Sequence, residues 1–288
     1  MPPDDGQARE AAAHAPLTMR DGAALFVRDW PVSGAHRAVL LVHGLGEHCG
    51  RYDALAQWFN RRGYAVRSYD QRGHGRTPGQ HGAIPRADAL LEDLADLYSD
   101  YATSLGFAPL LVGHSMGGLV ALRTVLDGRI APPLLVLSSP VLRAHEPKWL
   151  QALAARLTPL LPNLPLRAGL KADKLSHDPA VGPAYKRDPL RYGWVTPRLA
   201  NFIFRAGAAC IADAQQLRVP SLLLYAGDDY LVDPTGSRDF AAVAPQALLT
   251  TQKFDTLYHE LFNEADPGRS EVLTALETWL SPRSAAAA

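Results

Sequence analysis

Cysteine is almost missing from this chain: Cys49 and Cys210 are the only two in 288 residues. Two thiols so far apart make neither a disulfide framework nor the paired spacing of a structural zinc site, and a reducing compartment is the plain expectation. Surplus charge is missing too. Lys and Arg total 29 and Asp and Glu total 29, so no global basic field exists to draw in a nucleic acid. No apolar run reaches the roughly 18 residues of a membrane span. The opening residues, MPPDDGQAREAAAHAP, begin with acid and hold no apolar segment of a secretory signal. No internal repeat is found. These absences point to a soluble, cytoplasmic globular protein, with residues 1–16 and 283–288 as mobile arms.

What is present is alternation. Strand-like runs at 24–30, 38–42, 64–69, 109–113 and 133–138 are separated by helical patterns at 52–62, 86–105 and 116–127. The run AVLLV at 38–42 is continuously apolar, as in a strand buried on both faces. Residues 141–214 break the pattern with Pro159, Pro162, Pro165 and short apolar stretches. The alternation resumes with strand 220–226, a helix near 236–243, strand 248–254 and a helix at 269–280. This predicts an α/β domain with a mainly parallel sheet flanked by helices. Its core spans 17–140 and 215–282, and 141–214 forms a cap inserted over the working edge of the sheet.

The stretch AVLLVHGLGEHCG, followed later by YAVRSYD, has the outline of a dinucleotide-binding unit: strand, glycine turn, helix, strand, acid. The spacing of Gly44, Gly46 and Gly50 matches that fingerprint only loosely, and His43 interrupts it. A stronger signal is Gly113-His114-Ser115-Met116-Gly117, between an apolar strand and an apolar helix. This G-x-S-x-G pattern sets a serine on a tight, strained turn, and the flanking glycines keep neighbouring backbone clear. The following helix N-terminus favours developing negative charge. Ser115 is therefore the candidate nucleophile. A serine hydroxyl needs a histidine base, itself oriented by a carboxylate. In the chain order Ser, acid, His, the one histidine after His177 is His259. Asp228, Asp229 and Asp233 all follow strand 220–226. The first two suit the acid better, because Asp233 is placed to cap a helix starting near Pro234.

The motifs HGLGEHCGRY at 43–52, DQRGHGRTPGQHG at 70–82, GHSMGG at 113–118, LSHDP at 175–179, GDDYLVDPTGS at 227–237 and YHELFNE at 258–264 resemble the monoacylglycerol lipase and lysophospholipase group of the α/β-hydrolases, also labelled serine aminopeptidase-like. They run from about Leu41 to Glu264 in the family's order. The resemblance implies an α/β-hydrolase fold, Asp229 as the acid beside Ser115 and His259, and an oxyanion hole from the backbone N–H groups of Leu45 and Met116. It implies a serine hydrolase that takes medium or long acyl esters, a monoacylglycerol or lysophospholipid above all, through an acyl-serine intermediate. Cofactor and metal are not required. Gln71 and Thr77 stand where His and Ser are frequent in the family, away from the chemistry. Competing readings are a short-chain esterase or an aminopeptidase on the same fold, and a ligand-binding receptor with a vestigial site.

Other residues invite readings of their own. His43, Glu47 and His48 suggest a metal, but H-x-x-x-E-H matches neither usual zinc motif. His74 and His81 suit loop hydrogen bonding, and Asp70 suits pairing with Arg or backbone N–H groups. Leu150, Leu153, Leu157, Leu160, Leu161 and Leu164 recur at helical spacing, either as a cap helix packed on the core or as an apolar entrance for an acyl chain. Residues 141–214 hold eleven Lys or Arg against five Asp or Glu, whereas the remainder holds 18 against 24. A basic, apolar cap would suit peripheral contact with an anionic lipid surface. The bland alternative is a solvated surface.

Overall fold

A computed structural model describes residues 12–13 and 16–285. Its strands in chain order are β1 (Ala12–Ala13), β2 (Leu17–Thr18), β3 (Ala24–Leu25), β4 (Val27–Trp30), β5 (Arg37–Val42), β6 (Tyr64–Tyr69), β7 (Leu110–His114), β8 (Leu135–Ser138), β9 (Leu166–Arg167), β10 (Trp194–Val195), β11 (Ser221–Ala226) and β12 (Leu249–Phe254). The helices are α1 (Asp53–Asn60), α2 (Ala89–Leu105), α3 (Met116–Leu126), α4 (Lys148–Leu157), α5 (Val181–Arg187), α6 (Pro197–Ala212), α7 (Thr235–Val243) and α8 (Gly268–Ala285).

The main sheet has the order β1-β4-β6-β5-β7-β8-β11-β12. The strands from β6 to β12 pair in parallel, and β4 and β1 add an antiparallel edge. Successive side chains of a strand point to opposite faces, so the unbroken apolar run of β5 feeds two cores. Leu40 and Val42 pack with α2, α3 and α6, while Val39 and Leu41 pack with α1 and α8. The chain passes from β5 to β6 on one side and returns to β7 on the other. That reversal leaves a crevice at the carboxyl ends of β5 and β7, where ligands of open α/β sheets bind. The mainly parallel sheet covered on both faces is the α/β-hydrolase architecture that the motifs implied.

Several elements depart from the sequence reading. The strand expected at 24–30 breaks at Phe26, and its halves join different sheets. There the N–H of Phe26 donates to Thr77 Oγ1 (3.0 Å) and its carbonyl accepts from Asp70 N (2.9 Å). Ala12 and Ala13 pair with Asp29 and Arg28, so this part of the expected mobile arm is an edge strand. Likewise α8 continues to Ala285, beyond the expected start of the tail at 283. Residues 1–11, 14–15 and 286–288 of those arms lie outside the described residues.

The segment 141–214 is not one layer. It ends in α6, a helix longer than the proline density suggested. Pro197 sits in its first turn, where a missing N–H costs nothing, and Thr196 caps it by accepting from Leu199 N. Leu199, Phe202, Ile203, Ala206 and Cys210 join the core beneath α3. Gly207 permits the close approach, because a Cβ there would lie 2.5 Å from the Leu142 carbonyl oxygen. On its other side, α6 carries α4. Among the described residues no helix is long and apolar enough to cross a membrane.

Candidate active site

Ser115 occupies the single residue between β7 and α3, with φ 55° and ψ −120°. A non-glycine residue held there stores strain of about 1–3 kcal/mol, and the surroundings leave it no alternative. Its N–H donates to Ser138 O (2.9 Å), and its carbonyl accepts from Leu119 N (3.0 Å) and Val141 N (3.2 Å). Gly113 and Gly117 face each other across the turn, and a Cβ on Gly113 would lie 2.5 Å from the Gly117 carbonyl. The Ser115 hydroxyl itself has no hydrogen-bond partner among the described residues. It shares a cavity with His259.

His259 follows β12, and its Nδ1 lies 2.7 Å from Asp229 Oδ2. The other carboxylate oxygen accepts from Leu231 N and Val232 N, both at 2.9 Å. With both oxygens engaged, Asp229 is acceptor-only, so Nδ1 carries the proton and Nε2 is left as the basic nitrogen. Burial pushes the His259 imidazole down, but the Asp229 charge and hydrogen bond, with Glu260 and Glu47, outweigh it and raise its pKa. Burial raises Asp229 in turn, and the imidazole and two backbone N–H groups bring it below the ordinary carboxylate value. The other two aspartates go elsewhere. Asp228 is exposed, and Asp233 accepts from Thr235 N (2.9 Å) and Oγ1 (2.6 Å) at the start of α7.

The loop after β5 meets the serine turn closely enough that a Cβ on Gly44 would lie 3.1 Å from Ser115 Cβ. The N–H of Gly44 is taken by Glu47 Oε1 (2.6 Å). The Leu45 N–H has no acceptor among the described residues, and Met116 N–H opens α3, where helix N–H groups lack intrahelical partners. Leu45, Ser115, Met116 and His259 all line one cavity of about 290 Å³. Its walls divide by chemistry into apolar side chains, with Leu170, Leu175, Ile203 and Phe204, and a polar set of Glu47, Arg51, His114 and Glu260.

The polar set was not legible as a unit. Arg51 Nη1 donates to Glu47 Oε2 and Glu260 Oε1, both at 2.6 Å, and Nη2 donates to Glu260 Oε2 at 2.8 Å. Glu47, on the loop after β5, and Glu260, the residue after His259, are thus tied through one guanidinium. Burial raises the Glu47 carboxyl, yet Arg51, two histidines and the Gly44 N–H draw it down to about 2. His114, between Gly113 and Ser115, stands 4.8 Å ring to ring from His259. Burial, then the neighbouring imidazole, push it down to about 4.

The metal reading of His43, Glu47 and His48 meets occupied donors. His43 Nε2 accepts from Gln71 N (2.9 Å), Glu47 is engaged as above, and His48 Nε2 lies 2.8 Å from Asp188 Oδ2. Asp70 pairs with backbone: it accepts from Cys49 N (2.8 Å) and Arg76 N (2.7 Å), fastening two loops beside the site. His74 Nδ1 lies 2.8 Å from Arg72 O, and His81 stacks on Tyr192 at 4.3 Å. The six cap leucines do not line the cavity. Leu153, Leu160, Leu161 and Leu164 are exposed, together with Trp149; α4 packs on α6 and buries only Ala154 fully, and the last three leucines lie beyond its end.

Comparison with known proteins gives the family of the chain. The sequence profile of the family described as serine aminopeptidase, S33, matches residues 33–266. The chain is 32% identical to a monoacylglycerol lipase of Mycolicibacterium smegmatis, over 87% of this chain and 90% of that one. It is 31% identical to the rat monoglyceride lipase, over 94% and 91%. A crystal structure of the Paleococcus ferrophilus monoacylglycerol lipase superimposes with a TM-score of 0.82 at 31% identity, covering 90% of this chain and 99% of that one. With a strained serine above a buried histidine and aspartate on an α/β-hydrolase sheet, the chain belongs to the serine aminopeptidase S33 family of hydrolases.

Proposed function

We propose that the protein is a serine hydrolase of carboxylic esters with medium or long acyl chains, of the monoacylglycerol or lysophospholipid class. The observation that carries this reading is the 2.7 Å contact of His259 Nδ1 with Asp229, in a largely apolar cavity that also holds the strained Ser115. His259 Nε2 takes the Ser115 proton as Oγ attacks the ester carbonyl. Asp229 holds the imidazole and stabilises its cationic form. The N–H groups of Leu45 and Met116 bind the oxyanion. The imidazolium then protonates the departing alcohol, leaving an acyl-Ser115 ester. Water, deprotonated by His259, attacks that ester and releases the acid. The lipid class draws support from the apolar walls beside Ser115 and from the names of the relatives.

The cap carries the second part of the proposal, peripheral contact with a lipid surface. Trp149, Leu153, Leu160 and Leu161 are exposed on a segment rich in Lys and Arg. Side chains of this kind insert at a bilayer interface, and the basic charge adds attraction to anionic lipid.

One panel tests the activity: monoacylglycerols of graded length, lysophospholipids, short esters and aminoacyl amides. The expected result is preference for the lipid esters, with labelling by a fluorophosphonate that Ser115→Ala abolishes. Ester turnover that survives in Ser115→Ala would refute the nucleophile, and a preference for aminoacyl amides would replace lipase by aminopeptidase.

A further inference from the structure

The motif at 175–179 has no part in the chemistry above, yet together with Glu264 it grips the loop that carries His259 from both sides. Glu260 N, next to His259, donates to Leu175 O at 2.8 Å. Tyr258 N, on the other side, donates to Glu264 Oε1 at 2.6 Å. Glu264 is fully buried and spends its remaining acceptor capacity largely on the same turn. It accepts from His177 N (2.9 Å), His177 Nδ1 (3.0 Å) and Ala265 N (3.1 Å). Ser176 Oγ donates to Asn263 O at 2.8 Å. Side chains repeat the pattern. The His177 ring stacks on Tyr258 at 3.7 Å, and Lys174 Nζ donates to the Tyr258 hydroxyl at 3.1 Å. Lys174 Nζ also lies 4.3 Å from the ring centre of Tyr230, the residue after Asp229.

We infer that Glu264 and the turn 174–177 form the positioning frame of His259, which they hold through its two neighbours in the chain. The frame explains why a carboxylate is buried there. Both oxygens face main-chain N–H donors, and only a group that accepts at both ends satisfies them. A glutamine has the same shape, but its NH2 would confront Tyr258 N in one orientation and His177 N with Ala265 N in the other. An unpaired buried donor makes its segment shift, and a histidine displaced by about 1 Å costs on the order of 100-fold in rate. Glu264 touches no reacting atom; it acts through His259.

This inference rests on the reading of His259 as the general base, and the test separates the two. Glu264→Gln is assayed per active site, with sites counted by fluorophosphonate titration so that unfolded protein does not register. The expected result is a kcat lowered about 10- to 100-fold with KM unchanged. The acid limb of the pH profile moves to lower pH, because a displaced imidazole feels less of Asp229. Wild-type kcat per titrated site with an unmoved acid limb overturns the frame. If the glutamine variant yields no titratable sites, His177→Ala, which removes an exposed ring, carries the test. A several-fold lower kcat with the same pH shift supports the frame, and an unchanged profile overturns it. His259→Ala runs in parallel: surviving turnover there refutes the base itself, whereas a dead His259→Ala beside a fully active Glu264→Gln refutes only the frame.

Discussion

The backbone of Gly117 lies so close to that of Val42 that a Cβ on the glycine would stand 2.2 Å from the Val42 carbonyl oxygen. This contact brings α3 down onto the end of β5 and sets the serine turn beside the loop of Leu45. The obstacle is backbone, which cannot rotate away as a side chain would. Gly117→Ala is therefore expected to destabilise the fold by about 1–3 kcal/mol and to impair labelling of Ser115. Thermal unfolding of the purified variant checks this, and an unchanged midpoint would contradict the close approach.

The contact of Asp229 with His259 predicts a pH profile. In the proposed mechanism the imidazole must be neutral to accept the Ser115 proton, and its pKa is raised above the usual histidine value. Activity should thus be lost as pH falls through a point above about 6.5. Asp229→Asn removes the charge that raises the imidazole, so the acid limb moves down in pH. The same change lets the ring take the wrong tautomer, at a cost of about 10⁴-fold in kcat. Measuring kcat/KM against pH for both proteins decides the point, and an acid limb at the same pH in each would exclude the coupling.

Two buried histidines predict acid instability. Burial and a neighbouring imidazole push His114 down to about 4 and His74 to about 3, whereas in the unfolded chain both titrate near 6.5. Their folded pKa values are depressed, so the unfolded state binds protons first. The stability they contribute is fully present above about pH 6.5 and declines as pH falls from there toward their folded values. Urea unfolding at steps from pH 7 to 4 should give a falling free energy, and His114→Gln should flatten part of the slope. A flat wild-type curve over that window would contradict buried, neutral rings.

The outward side chains of α4 and the turn after it predict a salt-dependent lipid interaction. Trp149 is 68% exposed and Leu160 is 77% exposed, so neither contributes much to the core, and Trp149→Ser with Leu160→Ser should shift stability by no more than about 0.5 kcal/mol each. Sedimentation with anionic vesicles should show a markedly smaller bound fraction for the double variant, and added salt should weaken binding of the parent chain. Binding that ignores both the substitutions and the salt would remove the cap from the interaction.

Much of the architecture was legible because its signals are local. The unbroken apolar run of β5 and the glycines around Ser115 are read from consecutive positions, and the order serine, aspartate, histidine needs no coordinates. Where the reading failed, a local rule met a tertiary contact. Phe26 reads as mid-strand, but Thr77 and Asp70 claim its backbone. Prolines argue against a long helix in 141–214, yet Pro197 starts one whose apolar face α3 covers. The leucines of 150–164 have helical spacing, but α4 ends at Leu157, and Leu160, Leu161 and Leu164 beyond it are exposed.

The chain by itself determined the sheet, the strained serine and the candidate histidine, because backbone sterics and side-chain periodicity act over a few residues. Among Asp228, Asp229 and Asp233 the residues alone left a choice, which the family pattern directed to Asp229. The tertiary structure alone decided the meeting of Asp229 with His259, the tie of Glu47 to Glu260 through Arg51, and the grip of residues 174–177 and Glu264 on the histidine loop. Those partners are far apart in sequence. Burial makes each unpaired polar group costly, so the folded chain brings together donors and acceptors that no local spacing announces.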